Sequence, residues 1–180
     1  MVLDGGAFWT YSGDQFPWSD LEGVLSIWVP PAEQFFAAGT VNDINTGLYV
    51  CTLGSSGQCG ITRFDNAPVE DVVGVDPFLY VATGFVGVWK GGPFADDWIQ
   101  VLGDFYGKSL FAQGDAIYAG GDALAISLDD GATWTFYDTE EGLADAGVYG
   151  IYLEENTLYA ATADPVSGGL SFAYCEFCSS

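Results

Sequence analysis

The pentapeptide LYVAT at residues 79–83 recurs in related form along the chain, as FFAAG at 35–39, IYAGG at 117–121 and LYAAT at 158–162. The second residue of each stretch is aromatic, and these residues stand 44, 38 and 41 positions apart: Phe36, Tyr80, Tyr118 and Tyr159. An apolar stretch precedes each one, across a turn containing Pro, Gly, Asp or Asn. A third strand, a tight turn and a fourth strand are predicted to follow. Four short strands repeated about every 40 residues are typical of β-propeller blades.

Length and composition favour the same interpretation. The 180 residues suit one domain, and 49% apolar residues, 16% aromatic residues and 25 glycines indicate an all-β fold. We predict a single β-propeller domain over residues 1–180, built of about four four-stranded antiparallel blades. Three blades are expected at residues 22–70, 71–106 and 107–146. A last blade is expected to combine two segments: residues 147–180 supply its first strands and residues 1–21 supply its final strand. A slice of a larger propeller, or end blades completed by neighbouring copies, are the alternatives.

The charge balance restricts the partners. The chain has 25 acidic and three basic residues, which gives a net charge of −22. Such a surface repels phosphate backbones and anionic lipids, and no run of about 18 apolar residues offers a membrane span. We therefore expect no nucleic-acid partner and no membrane insertion. The carboxylates form either a soluble, self-repelling surface or a site for a hard cation, for which calcium is the candidate. No other cofactor is predicted.

The octet SLDDGATW at 127–134 falls at the predicted turn between the third and fourth strands of a blade. It resembles the Asp box, the repeat of sialidase-type (BNR) propellers with pattern S-x-D-x-G-x-T-W. The matching residues are Ser127, Asp129, Gly131, Thr133 and Trp134. Two other stretches match more weakly: one keeps Asp4, Gly6 and Trp9, and the other keeps only Trp98. The resemblance implies a structural turn at the outer edge of a blade, away from the ligand face. Asp and Gly suit such a turn, and Trp packs between sheets.

The four cysteines indicate in which cellular compartment the protein is located. Cys51 and Cys59 flank a turn at about the Asp-box position of the first full repeat, and Cys175 and Cys178 form CEFC near the equivalent place in the last. We predict a Cys51–Cys59 disulfide that closes its hairpin where an Asp box is missing. Cys175–Cys178 is either a second disulfide or a redox pair. With no histidine in the chain, zinc is disfavoured. Disulfides indicate an extracellular or cell-surface protein, with the periplasm as a further location.

Ligands are expected on one particular face of the propeller. Loops between the second and third strands, and between successive blades, share that face and are the longer loops. The candidate ligand-binding residues in them are Trp18, Asp43, Tyr106, Asp122 and Asp164. Each has an ordinary alternative role, as a solvated carboxylate or an aromatic residue packed between blades.

No catalytic set emerges from the sequence. Sialidases of the resembled family bind the substrate carboxylate with three arginines, whereas this chain has only Arg63. The absence of histidine excludes Ser–His–Asp and Cys–His centres. We therefore predict a non-catalytic extracellular module that binds a protein or a glycan. The alternatives are a structural subunit of a surface layer or filament, self-associating through its end blades, and a glycoside hydrolase using a carboxylate pair.

Overall fold

A computed structural model describes the backbone of residues 23–29, 35–41, 47–52, 59–62, 64, 67–163 and 170–176. Side chains are described for 25–29, 47–52, 62, 64 and 67–163. This part of the chain forms fifteen β-strands in four antiparallel sheets, and it contains no helix. Each sheet is a simple meander, because its strands lie side by side in chain order.

We number the sheets as blades in chain order. Blade 1 comprises β1 (Gly23–Trp28), β2 (Phe35–Val41), β3 (Gly47–Thr52) and β4 (Cys59–Thr62). Blade 2 comprises β5 (Val69–Val75), β6 (Phe78–Thr83), β7 (Gly87–Gly91) and β8 (Ile99–Leu102). Blade 3 comprises β9 (Ser109–Gln113), β10 (Ala116–Gly120), β11 (Leu124–Ser127) and β12 (Thr135–Tyr137). Blade 4 has three described strands, β13 (Gly147–Glu154), β14 (Thr157–Ala163) and β15 (Leu170–Glu176).

The first strand of each blade is the innermost one. β5 packs against β1 on one side and β9 on the other, and β9 in turn packs against β13. Sheets arranged radially around their first strands form a β-propeller, the fold that the repeat predicts. β5 begins at Val69, slightly before the predicted blade boundary at residue 71. The predicted final strand within 1–21 lies outside the described residues.

The recurring stretch forms the second strand of each blade, and in blades 2 and 3 its tyrosine fills the junction with the next blade. In blade 1 the predicted alignment is off by one residue, because Ala37 and not Phe36 stands at the position that corresponds to Tyr80. Tyr80 and Tyr118 are fully buried. Tyr80 belongs to an apolar cluster with Leu110 and Ile117 of blade 3, and Tyr118 to one with Val148 and Leu158 of blade 4. The recurrence in the sequence therefore reflects repeated packing between sheets, where aromatic side chains bury large apolar surfaces.

The junction between blades 1 and 2 depends on one close approach. Trp28 at the end of β1 lies against Gly74 of β5, where a Cβ atom would overlap the indole ring. Trp28 also packs against the cluster that contains Leu48 of blade 1 and Val72 and Leu79 of blade 2. Glycine at position 74 thus makes room for the Trp28 ring between the two sheets.

The hairpin of β3 and β4, the two outer strands of blade 1, carries a disulfide-bonded cysteine. Cys51 is buried in β3 and is disulfide-bonded. In the ladder between β3 and β4, Cys51 stands directly opposite Cys59. Directly opposed residues of antiparallel strands are the positions that a cross-strand disulfide joins. The Cys178 position lies outside the described residues, as does the side chain of Cys175.

A bulge lies near the start of three of the four inner strands, β1, β5 and β13. The pairing shifts at Leu25 in β1, Glu70 in β5 and Tyr149 in β13, and one residue is inserted at each place. A bulge increases the local twist and redirects the residues that follow. The next position holds Ser26 in β1 and Asp71 in β5, which become neighbours across the blade junction.

Asp71 joins three inner strands through its carboxylate. One oxygen accepts hydrogen bonds from the Ser26 hydroxyl at 2.5 Å and the Val72 N–H at 2.8 Å. The other oxygen accepts the Leu110 N–H at 2.7 Å. Burial raises the pKa of the Asp71 carboxyl, while the hydrogen bonds from Ser26, Leu110 and Val72 oppose that rise. Asp71 therefore connects blades 1, 2 and 3 at the centre of the described propeller.

We expect Asp71→Ala to lower the free energy of unfolding by about 2–4 kcal/mol, because the Leu110 and Val72 N–H groups lose their acceptor. Urea unfolding followed by tryptophan fluorescence measures this change, with the exposed Asp96→Ala as control. The raised pKa in the folded state means that the contribution of Asp71 is largest below its unfolded pKa. It should decline as the pH rises through the folded-state pKa. Equal effects of the two substitutions would contradict the assignment.

Candidate functional site

The described loops divide between two faces. One face, which we call the loop face, carries residues 84–86, 103–108, 121–123 and 138–146, where second strands end and first strands begin. Tyr106 and Asp122, two of the candidate residues from the sequence, lie on it. Tyr106 is half-buried and Asp122 is exposed. Trp18, Asp43 and Asp164 lie outside the described residues, so the structure brings together two of the five candidates on one face.

Two aromatic side chains form a platform on the loop face. Phe85, from the loop after β6, meets Tyr106, from the loop before β9, edge to face with ring centroids 5.0 Å apart. The Phe85 side chain is 73% exposed, although burial of a phenylalanine side chain is energetically favourable. Phe85 is not among the residues predicted from the sequence, although an aromatic residue within the glycine-rich stretch TGFVG is a signal that could have identified it.

Lys108 extends this platform towards the inner strands. Its ammonium lies 4.5 Å from the Tyr106 ring centroid and 3.2 Å from a Glu70 carboxylate oxygen. Burial by itself lowers the pKa of Lys108, but interactions with Tyr106 and Glu70 outweigh this effect and raise it. The Lys108 N–H donates to the Gly120 carbonyl at 2.7 Å, and the Gly107 N–H donates to the Thr83 carbonyl. The backbone therefore anchors the loop to blades 2 and 3.

Acidic residues predominate in the loops of this face. The four loops that define the loop face contain one basic residue, Lys108, and six acidic residues: Asp104, Asp122, Asp138, Glu140, Glu141 and Asp145. The loop before β13 is held by its own hydrogen bonds, since Asp138 accepts from the Glu140 N–H at 2.6 Å and Glu141 accepts from the Asp138 N–H at 3.0 Å. A face that carries an aromatic platform and an excess of acidic residues is suited to a ligand with apolar and cationic groups.

The octet 127–134 occupies the turn between β11 and β12, on the opposite face. Ser127 donates to Asp129 at 2.8 Å and accepts the Gly131 N–H at 2.9 Å. Asp129 accepts the Thr133 N–H at 2.8 Å and the Thr133 hydroxyl at 2.6 Å. Gly131 has φ of +86°, a conformation that residues with a Cβ atom rarely adopt. Ser127, Asp129 and Thr133 thus satisfy the polar groups of the turn itself.

Tryptophan side chains fix these outer turns to their surroundings. Trp134 donates its indole N–H to the Val101 carbonyl of blade 2 at 2.8 Å. Trp98 donates to the Ala95 carbonyl within its own turn at 3.0 Å and packs on Gly91. Trp134 therefore holds the octet against the preceding blade. Asp4, Gly6 and Trp9 lie outside the described residues.

Asp130, a variable position of the octet, makes a further tie between blades that sequence reasoning missed. Its carboxylate accepts hydrogen bonds from the Tyr80 hydroxyl and the Lys90 ammonium, both in blade 2. Burial by itself raises the pKa of Asp130, but Lys90 and Tyr80 lower it overall. Burial and the neighbouring Asp130 carboxylate raise the pKa of Tyr80. Lys90 also lies over the Phe78 ring, 4.3 Å from its centroid.

Two further findings concern ligands and membranes. In the described part of the chain, no group of three or more Asp, Glu, Cys or His side chains is arranged to hold a metal ion. The same residues include no helix of sufficient length and apolarity to cross a bilayer.

Comparison with known proteins identifies the fold. No protein-family model and no curated protein matches the sequence. The computationally designed protein Ika4 superposes with a TM-score of 0.64 at 11% identity, over 86% of this chain and 94% of Ika4. YCF48 bound to D1 peptide gives 0.59 at 13% identity, over 88% of this chain and 56% of YCF48. YCF48 from Cyanidioschyzon merolae gives 0.56 at 10% identity, over 86% and 57%.

These similarities confirm the fold class. The described part of the chain has the all-β propeller fold, with three four-stranded antiparallel blades and a fourth blade of three described strands. It spans somewhat more than half the length of the YCF48 chains and nearly all of Ika4. At such low identity, the likeness concerns the fold and carries no residue-level correspondence.

We expect Asp129→Ala to destabilise the protein at pH 7, because the turn loses the acceptor of two Thr133 hydrogen bonds. Hydrogen bonds from Thr133 and Ser127 lower the pKa of Asp129, so its contribution is present above the unfolded pKa and is lost as the pH falls through the folded one. Thermal unfolding of both proteins from pH 7 to pH 2 should show the difference shrinking in acid. Asp97→Ala, which changes an exposed carboxylate of another turn, serves as control. A difference that does not change with pH would refute the role of the charge.

Proposed function

We propose that this chain is a non-catalytic propeller module that binds a basic segment of a partner protein on its loop face. The observation that carries the proposal is the Phe85–Tyr106 platform. Phe85 is 73% exposed, yet it is held in place by the edge-to-face contact with Tyr106. An exposed, well-positioned aromatic side chain beside the inner strands is the kind of anchor on which protein interfaces depend.

Charge selects the kind of segment. Six carboxylates share the loop face with Lys108, and Lys108 is already paired with Glu70. Lysine and arginine side chains of a partner would be attracted to this field, and their aliphatic stems would pack on Phe85. The whole chain, at −22, reinforces the attraction over longer distances. A basic peptide therefore fits the face better than an acidic peptide or a nucleic acid.

The comparison with YCF48 adds support of a general kind. YCF48 shares the fold and has a structure in complex with D1 peptide. A propeller of this architecture is therefore able to present a peptide-binding surface. The peptide itself is not transferred to this chain, since the identity is 13%.

The proposed extracellular location and the Asp-box interpretation of the octet each have separate support. The hydrogen bonds of Ser127, Asp129 and Thr133 agree with an Asp-box turn, and we interpret the octet as one. The disulfide bond of Cys51, opposite Cys59, favours an oxidising compartment. We therefore propose an extracellular or cell-surface module whose octet and cysteines stabilise the outer parts of the blades.

A peptide-binding assay tests the function. Fluorescent twelve-residue peptides of graded Lys and Arg content should bind with increasing affinity, and binding should weaken as salt is raised. Phe85→Ala should raise the dissociation constant about tenfold, as removal of an aromatic anchor does. Phe94→Ala is the matched control, because Phe94 is 60% exposed in the turn between β7 and β8, on the opposite face.

Two outcomes would overturn the proposal. In the first, basic peptides do not bind while neutral oligosaccharides do, which would assign the face to a glycan. In the second, Phe94→Ala weakens binding as much as Phe85→Ala, which would place the ligand away from the loop face.

A further inference from the structure

Each blade has two sides with different neighbours. We call the side towards the next blade the forward side and the side towards the preceding blade the rear side. Tyr80 lies on the forward side of blade 2 and packs with Leu110 on the rear side of blade 3. Tyr118 lies on the forward side of blade 3 and packs with Leu158 on the rear side of blade 4. The same pairing of sides therefore recurs at these two successive junctions.

The forward side of blade 4 repeats this surface without a described cover. In the ladders of first and second strands, Tyr80 stands opposite Val73, Tyr118 opposite Phe111 and Tyr159 opposite Tyr152. Tyr159 therefore corresponds to Tyr80 and Tyr118, which are fully buried, but it is 41% exposed. Tyr152 is 57% exposed. The centroids of the two tyrosine rings lie 6.4 Å apart. The Tyr152 ring also meets Phe111 of blade 3 edge to face at 6.4 Å, so Tyr159 is the residue that marks the uncovered forward side.

The rear side of blade 1 is the complementary case. Ile27 follows the bulge of β1 as Val72 follows that of β5, and Leu110 holds the same position in β9. Val72 is 2% exposed and Leu110 is 6% exposed, because the preceding blade covers them. Ile27 is 60% exposed, and the neighbouring Val29 is also exposed. The rear side of blade 1 thus leaves exposed an apolar surface. In blades 2 and 3 the corresponding surface is covered by the forward side of the preceding blade.

Within the part of the chain that the structure describes, these two exposed sides do not cover each other. Successive inner strands pack extensively from β1 to β5, β9 and β13, but among the described strands no extensive packing joins β13 back to β1. We propose that a second copy of the chain supplies the missing neighbour, with the forward side of blade 4 packing on the rear side of blade 1 of the next copy. The new contact would continue the blade-to-blade junctions already present.

Charge is compatible with this contact. β1 and β14 contain no charged residue, and β13 contains only Glu154 at its end. The repulsion between copies comes from the net charge of −22, most of it outside these strands. Salt screens that repulsion and leaves apolar contacts intact, so association between copies should strengthen with salt. A contact between different surfaces of identical chains closes into a ring or extends as a filament.

Sedimentation velocity across a concentration series, at low and high salt, measures the association. The wild-type chain should form dimers or longer assemblies, and more of them at high salt. Ile27→Lys should raise the dissociation constant at least about tenfold, because a lysine in an apolar interface is left without a partner. Ile99→Lys is the matched control, since Ile99 is 59% exposed on the outer strand β8. Circular dichroism and thermal unfolding establish that each variant is folded.

A mixing experiment distinguishes head-to-tail packing from other associations. Ile27→Lys blocks the rear side of blade 1, and Tyr159→Lys blocks the forward side of blade 4. Each variant alone should be monomeric, whereas an equimolar mixture should form one-to-one dimers through the remaining intact pair of sides. A wild-type chain that stays monomeric at all concentrations would overturn the proposal, as would Ile99→Lys acting as strongly as Ile27→Lys. Variants that dimerise alone would indicate a contact between like sides, which also overturns it.

Discussion

The hydrogen bonds of the Asp71 carboxylate are the constraint around which the described propeller is organised. Three blades meet where this side chain receives donors from Ser26, Val72 and Leu110. A buried carboxylate is costly unless its acceptors are used, so the position of each inner strand is coupled to that of the next. The bulge at Glu70 directs Asp71 into this position, and the matching bulge at Leu25 places Ser26 beside it.

The outer parts of the blades are held in a different way. There, the octet satisfies its own polar groups through Ser127, Asp129 and Thr133, and Trp134 connects it to the preceding blade. Three of the four inner strands, β1, β5 and β9, share one polar centre. The outer strands depend on local turns and apolar packing. On the loop face, Phe85 remains largely exposed, as a residue of a binding surface must be.

Much of the fold could be predicted because the packing recurs. Tyr80 and Tyr118 perform the same task at successive junctions, and their spacing is visible in the sequence. Register was less accessible, since the bulges at Leu25, Glu70 and Tyr149 depend on tertiary twist and leave no local pattern. The candidate site was predicted in part: loop order places Tyr106 on the loop face, but its contact with Phe85 depends on how two blades meet. Asp130 was missed because it occupies a variable position of its motif.

Both described lysines connect the same pair of blades. Lys90 of blade 2 pairs with Asp130 of blade 3 on one face, and Lys108 of blade 3 pairs with Glu70 of blade 2 on the other. The chain has only these two lysines, so any reagent that consumes side-chain amines acts at this one junction. Amine-directed dyes, cross-linkers and immobilisation chemistries would therefore modify the contact between blades 2 and 3 and leave most of the acidic surface untouched. Attachment through carboxylates or an added terminal tag would preserve that contact.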